Sequence, residues 1–225
     1  MNKYTDIFIC NNIKMSYEVF CPEKCEDLPL LIFLHGAGER GTDIEHVNRW
    51  ALPRLITEGM KIPAIVLCPQ CPQEYVWDNL VRELKMLIDY TVERFAVKKD
   101  RICITGASMG GFGTWSMGLT YPDFFSAIAP VAGGGMSWRT PNLKTTPVYA
   151  VHGDNDDVVP VSCSQLMVDG VNKNGGNAQL IVIGGFGHGD GIEEAYEKTE
   201  LTEWILKQRR TSFEKVAEAF SEYFD

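Results

Sequence analysis

The chain has 225 residues, 45% of them hydrophobic and 23% charged, which is typical of a globular protein with an ordinary core. A formal net charge of −9 argues against nucleic acid or an anionic membrane as a partner. Because no stretch approaches the ~20 apolar residues of a membrane span, and no apolar run typical of a signal peptide stands near residue 1, we expect a cytoplasmic protein.

The first part of the chain predicts two edge strands followed by buried ones. The edge strands are residues 6–10 and 14–20, joined by a turn at Asn11 and Asn12. Solid apolar runs at 28–34 and 64–68 are typical of strands that are covered on both faces of a parallel sheet.

Helical patterns alternate with these strands. Thr42 and Glu45 resemble a capping box that opens a short helix, interrupted around Pro53 and ended near Gly59. Apolar residues then recur at three- and four-residue intervals, which predicts a long amphipathic helix over 78–96.

The second half continues the alternation. Strands are predicted at 102–105, 126–132, 148–152 and 179–183, and helices from 162 to about 174 and over 193–206. The pattern indicates an α/β fold with a mostly parallel, doubly wound sheet in one domain, 1–225. The connection at 133–147 is short, so we expect no large lid.

Residues 211–225 form a separate amphipathic segment. Phe213, Val216, Phe220 and Phe224 share one face of a predicted C-terminal helix, which we expect to dock on its own domain.

A serine follows the predicted strand at 102–105 within the pentapeptide Gly106-Ala107-Ser108-Met109-Gly110. This is the G-x-S-x-G pattern of a nucleophile elbow, a sharp strand-to-helix turn that exposes the serine hydroxyl. Glycines are needed because a Cβ at 106 or 110 would collide with the adjacent strand and helix.

A nucleophilic serine needs a base and an orienting carboxylate, which in this fold type follow it in the order acid, then histidine. His188 lies in a glycine-rich loop after the last strand and is the predicted base. His35 and His152 are expected to be structural residues at strand ends.

Three aspartates compete for the acid in the loop after the strand at 148–152. Asp156 is preferred to Asp157 and Asp154, because Val158 to Pro160 return the loop to the protein just behind it. Asp190 is a weaker alternative.

Two backbone amides are required to hold the oxyanion of an acyl-transfer reaction. Met109 follows the nucleophile and supplies one. Ala37 is the preferred source of the other, with Gly36 and Gly38 as alternatives in the loop after the strand at 28–34.

Seven cysteines, an odd number, argue against a framework built on disulfides. Cys68 and Cys71 have C-x-x-C spacing without a second half-site, so we expect free thiols in a reducing compartment and no metal site.

The segments LHGAGERGTD, RICITGASMGGFGTW, YPDFFSAIAPVAGGG, VHGDNDDVVP and GGFGHGD resemble the α/β-hydrolase superfamily. They look like small serine esterases of the phospholipase/carboxylesterase and feruloyl esterase group, related to prolyl oligopeptidase catalytic domains. The resemblance covers about residues 14–206 and supports Asp156, which matches the family pattern H-G-x-x-D-x-x-V-P. The sequence departs from the group after the histidine, at Gly189-Asp190-Gly191-Ile192, which puts the local pocket wall in doubt.

The resemblance implies a serine carboxylesterase that acts through an acyl-enzyme on short-acyl or aromatic esters, small or linked to an oligosaccharide, without a cofactor. Trp138 and Glu39 are predicted substrate contacts. The alternatives are a serine peptidase of the prolyl oligopeptidase type and a non-catalytic binding protein. We expect a monomer or homodimer.

Overall fold

The computed structural model describes residues 1–211, so that the helix predicted at 211–225 lies outside the described residues except for its first position. One eight-stranded sheet forms the centre, in the order β1-β2-β4-β3-β5-β6-β7-β8. Its strands are β1 Asn2–Cys10, β2 Ile13–Cys21, β3 Leu30–Leu34, β4 Ile65–Pro69, β5 Ile102–Ala107, β6 Ala127–Val131, β7 Val148–Gly153 and β8 Ala178–Ile183.

β2 is antiparallel to both β1 and β4, and the six strands from β4 to β8 across the sheet are parallel to one another. Asn11 and Asn12 form the predicted turn with φ angles of 48° and 63°, the left-handed conformation that a tight hairpin turn requires. The prediction of two edge strands was half wrong, because β2 pairs with β4 as well as with β1. Only β1 lies at that edge.

Helices cover both faces of the sheet and are α1 Ala51–Thr57, α2 Val81–Arg94, α3 Met109–Thr120, α4 Ser162–Lys173, α5 His188–Lys198 and α6 Leu201–Lys207. One core lies between the sheet and α2, α3 and α4, and contains Leu84, Trp115 and Met167. The other lies under α1, α5 and α6 and contains Leu52 and Ile205. The strands β3 to β7 are therefore buried on both sides, which explains their solid apolar sequences, whereas the edge strands β1 and β8 are largely accessible.

Three helical predictions needed correction. The predicted capping box at Thr42 does not form, because the N-cap residue is Asp43. Its carboxylate accepts a hydrogen bond from the Glu45 amide at 3.2 Å, at the start of a 3₁₀ helix, Ile44–Arg49. The break before α1 falls at the extended residue Trp50, and Pro53 is inside the first turn of that helix. A proline is tolerated there because first-turn amides have no intrahelical partner.

The predicted helix at 193–206 is two helices, α5 and α6, and α5 begins five residues earlier, at His188. The chain is extended at Thr199, whose hydroxyl accepts from the amide of Leu201 at 3.2 Å. This local bond interrupts a hydrophobic pattern that continues across it. The connection at 133–147 also contains a 3₁₀ helix, Ser137–Leu143.

The cysteines only partly follow expectation. Cys21 and Cys25 are joined by a disulfide, which the sequence did not suggest. Cys68 and Cys71 are free and buried, and burial raises the pKa of Cys68 and raises that of Cys71 to about 12. Both groups are therefore neutral thiols at physiological pH, which is unfavourable for thiolate chemistry.

Among residues 1–211, no helix has the length and apolar character needed to cross a bilayer.

The packing of α2 gives a direct test of the first core. Leu84 is fully buried, whereas Met86 on the same helix is 40% exposed. We expect Leu84→Ala to lower the free energy of unfolding by about 2–5 kcal/mol, because it leaves a cavity. Met86→Ala should change it by about 0.5 kcal/mol or less. Urea unfolding measures both, and equal losses would show that α2 does not pack as described.

Candidate active site

Ser108 is held in the strained turn that its sequence predicts. It lies between β5 and α3 with φ 56° and ψ −119°, a conformation that a non-glycine residue adopts only when its surroundings impose it. A Cβ at Gly106 would lie 2.5 Å from the Gly110 carbonyl oxygen, and one at Gly110 would lie 1.9 Å from the Leu34 carbonyl oxygen. The predicted steric need for both glycines is confirmed.

The structure brings Ser108, His188 and Asp156 into one hydrogen-bonded chain. His188 Nε2 is 2.9 Å from Ser108 Oγ, and His188 Nδ1 is 2.7 Å from Asp156 Oδ2. A carboxylate only accepts, so the proton of the neutral imidazole resides on Nδ1. Nε2 then presents its lone pair to the serine hydroxyl, as a general base must.

The Asp156 carboxylate is saturated with donors. Its Oδ1 accepts from the amides of Val158 and Val159 at 3.0 and 2.8 Å, the return of the loop that the sequence suggested. Burial alone would raise the pKa of Asp156, but the hydrogen bonds from His188 and from these two amides outweigh it and hold the pKa below its ordinary value. The group is therefore ionised at neutral pH.

The other candidate acids lie elsewhere. Asp154 accepts from the Gly185 amide at 2.7 Å, and Asp190 accepts from the Gly191 amide at the start of α5. Asp157 is exposed. Of the four candidate acids, Asp156 is the one that hydrogen-bonds His188.

A second histidine touches the same carboxylate, which sequence reasoning missed. His152 is buried at the end of β7, with Nε2 2.7 Å from the Val159 carbonyl oxygen and 3.3 Å from Asp156 Oδ2. Nε2 must carry a proton there, because a carbonyl oxygen only accepts. Its Nδ1 is 2.7 Å from Ser164 Oγ on α4. His152 is a structural residue, as expected, and it braces the loop that carries the acid.

The two predicted oxyanion donors both lie at helix starts. Met109 is the first residue of α3, and Ala37 is the first residue of a 3₁₀ turn, Ala37–Glu39. Amides in these positions have no partner within their own helix and are free to bind an anion. Arg40 fastens the turn by donating from Nε to the Ala37 carbonyl oxygen at 3.0 Å, so it does not pair with Glu39.

His35 fixes the start of this loop. It is buried, its Nε2 accepts from the Cys71 amide at 2.9 Å, and its Nδ1 is 2.6 Å from the Gly36 carbonyl oxygen. Trp77 donates from Nε1 to the His35 carbonyl oxygen at 2.9 Å, so this tryptophan is a packing residue. Burial lowers the pKa of His35 to about 4, and the ring is neutral at pH 7.

A cavity of about 310 Å³ opens beside Ser108. Its walls are mostly apolar, and Trp50 and Val158 stand at its exposed side, 53% and 65% accessible. Neither was predicted, because only the tertiary fold brings the start of α1 next to the acid loop. Glu39 lines the cavity as expected. Trp138 does not; it is 63% exposed on the 3₁₀ helix at 137–143.

An ion-pair cluster ties one cavity wall to the helix that begins at His188. Glu193 on α5 accepts from the amide of Ala51 at 2.8 Å and from Arg54 Nε at 3.2 Å. Ala51 has a φ of 53° and follows Trp50 directly. The carboxylate thus caps α1 from outside and holds its strained first residue in place.

Comparison with known proteins gives a family. The model of the phospholipase/carboxylesterase family matches residues 15–189. An acetylxylan esterase of Coprinopsis cinerea is 29% identical over 155 residues, which are 61% of this chain and 40% of the relative. The chain spans between about a fifth and two fifths of the curated relatives it matches.

Solved structures share the fold. A thermostable esterase is 31% identical with a TM-score of 0.81, covering 92% of this chain and 63% of its own. A feruloyl esterase module from Clostridium thermocellum, in complex with sinapinate, has a TM-score of 0.71 at 16% identity, covering 96% and 89% of the two chains. The predicted α/β-hydrolase fold is confirmed.

His35 predicts a specific pH dependence of stability. Its pKa falls from 6.5 in the unfolded chain to about 4 in the fold, so the unfolded state binds the proton more readily. The contribution of His35 to the free energy of unfolding is full above pH 6.5. It falls by about 3 kcal/mol as the pH decreases toward 4. His35→Gln keeps an acceptor for Cys71 and should remove this part of the pH dependence.

Urea unfolding at pH 7, 5.5 and 4.5 measures it. Carboxylate titration is common to both proteins and cancels in the difference. Met86→Ala, which removes no titratable group from an exposed site, serves as the control and should retain the wild-type slope. The prediction would be contradicted if the free energy of unfolding changed with pH by the same amount in wild type and in His35→Gln.

Proposed function

The chain belongs to the phospholipase/carboxylesterase family, and from this premise we propose that it is a serine carboxylesterase acting on short-acyl or aromatic esters. The observation that carries the proposal is the hydrogen-bonded chain from Ser108 through His188 to Asp156. Nucleophile, base and orienting acid are within bonding distance without rearrangement, as acyl transfer requires.

The proposed reaction has two halves. His188 Nε2 takes the proton of Ser108 as Oγ attacks the ester carbonyl carbon, and the amides of Met109 and Ala37 bind the oxyanion. His188 then gives the proton to the leaving alcohol, and the C–O bond breaks to leave an acyl-serine. Water, deprotonated by His188, attacks that acyl group and releases the acid and the free serine.

Asp156 does not exchange protons in this scheme. It keeps the proton of His188 on Nδ1 and stabilises the imidazolium that forms in each half-reaction. Two backbone amides and His152 hold its carboxylate, so it cannot swing away from His188.

The cavity supports a substrate of modest size. About 310 Å³ accommodates an aryl or short alkyl group beside Ser108, and the connection at 133–147 holds only a short 3₁₀ helix. The descriptions of relatives as an acetylxylan esterase and a poly(3-hydroxyalkanoate) depolymerase support carboxylic esters, including polymer-linked ones. Glu39 is the proposed polar contact, whereas a role for Trp138 stays a prediction.

The cytoplasmic location and the monomeric or dimeric state also stay predictions.

The triad is tested with p-nitrophenyl acetate, butyrate and octanoate and with methyl ferulate. We expect Ser108→Ala to lose at least about 10⁴-fold in kcat, because the acyl-enzyme cannot form. Asp156→Asn should lose about 10⁴-fold, because an amide favours the wrong tautomer of His188. The ranking of the four wild-type rates identifies the acyl preference.

Asp154→Asn is the matched control, since this residue lies in the same loop and bonds Gly185 instead of His188. It should retain activity within about threefold. Wild type inert on all four esters would contradict the proposed function, and faster cleavage of a proline amide would indicate a peptidase instead.

A further inference from the structure

Glu39 is the only acidic residue on the wall of the cavity beside Ser108, and the part of the chain that the structure describes places no lysine or arginine there. Its side chain is 13% exposed. The rest of the lining is apolar side chains, glycines and the rings of two histidines. A single carboxylate on an otherwise apolar wall sets the charge of the cavity.

The carboxylate lies close to the reacting serine. Its Oε2 is 3.2 Å from the point where a Cβ on Gly36 would stand, and the same point is 3.7 Å from Ser108 Cβ. Glu39 and Ser108 therefore flank a single glycine. A group of the ester that fills the cavity therefore lies against a wall that includes Glu39.

No lining side chain neutralises this charge. Arg40 points its guanidinium at the backbone oxygens of Ala37 and Tyr75. His35 lies 3.7 Å from Glu39 Oε2 but is neutral at pH 7. Burial raises the pKa of Glu39, and the backbone hydrogen bonds at Gly36 and Glu39, with the weaker attraction of Arg49 and His46, only partly oppose it.

We propose that this cavity selects by charge: it takes a neutral or cationic aryl or alkyl group that donates a hydrogen bond to Glu39, and it disfavours a group that carries a carboxylate. The proposal deepens the function proposed above and rests on it. It names hydroxyl- or amine-bearing esters as the preferred class, because an acceptor-only side chain in an apolar wall pairs best with a donor.

The size of the effect follows from charge in a semi-enclosed site. Two like charges a few ångströms apart near a protein surface repel each other. This repulsion is strong enough to weaken the affinity for a like-charged ligand by more than about tenfold. A ligand that donates a hydrogen bond to a carboxylate forms a charge-assisted hydrogen bond. This bond strengthens the binding of ligands that carry a hydroxyl or amine group. The discrimination should therefore be at least about tenfold.

Three probes of nearly equal shape test the proposal: benzyl alcohol, benzylamine and benzoate. Their binding to Ser108→Ala is measured at pH 8 by NMR titration, and they are assayed separately as competitive inhibitors of wild type. We expect benzyl alcohol and benzylamine to bind at least about tenfold more tightly than benzoate.

Glu39→Gln is the decisive variant, made in the Ser108→Ala protein, since it keeps the shape and an acceptor oxygen but removes the charge. The difference between benzylamine and benzoate should fall to within about threefold. Glu45→Gln, an exposed acid on the next helix that does not line the cavity, is the control and should leave the preference unchanged.

Benzoate binding as tightly as benzyl alcohol would overturn the proposal, as would a preference that survives Glu39→Gln or the failure of all three probes to bind at 20 mM. Binding to Ser108→Ala involves no turnover. A wild type inert on esters would therefore refute the esterase function without affecting this measurement, and equal binding of the probes would refute the selectivity alone.

Discussion

The whole site depends on the close contact of α3 with the end of β3. Gly110 lies so near the Leu34 carbonyl oxygen that no side chain fits between them. Leu34 is the last residue of β3, and Ala37 follows three residues later in the next loop. The contact therefore places the exposed Ser108 beside the amides proposed to hold its oxyanion. Because Gly110 has no side chain, the position of Ser108 at the start of α3 is fixed relative to the loop that follows β3.

The acid and the base come from the other half of the sheet. Asp156 follows β7 and His188 follows β8, which are adjacent parallel strands whose carboxyl ends meet at the same edge. Because loops are mobile unless held, this half needs its own support. His152 and two amides fix Asp156, and Glu193 links the helix of His188 to α1. The loop of Asp156 and the helix of His188 are therefore each held by contacts outside the proposed triad.

The sequence predicted what depends on local pattern and chain order. Ser108 was found because a strained turn requires glycines at fixed spacing, and His188 because it follows the last strand. Asp156 was preferred because the apolar residues behind it were expected to return to the protein, which Val159 does and the exposed Val158 does not. Trp50 and Glu193 could not be found, since their importance comes from contacts between segments about 140 residues apart. The break between α5 and α6 was also invisible, because one hydroxyl interrupts an unbroken apolar pattern.

Glu39 sets two requirements of the site against each other. In the proposed reaction the loop at 36–39 presents amide donors to a developing negative charge, yet it also carries the half-buried carboxylate of Glu39, which repels such charge. A residue there that served only the oxyanion would be neutral or basic. The raised pKa of Glu39 reduces this conflict, because its carboxyl group is protonated, and so uncharged, in a larger fraction of the molecules at a given pH. The arrangement is understandable if the carboxylate contributes to the choice of substrate more than it weakens the binding of the oxyanion.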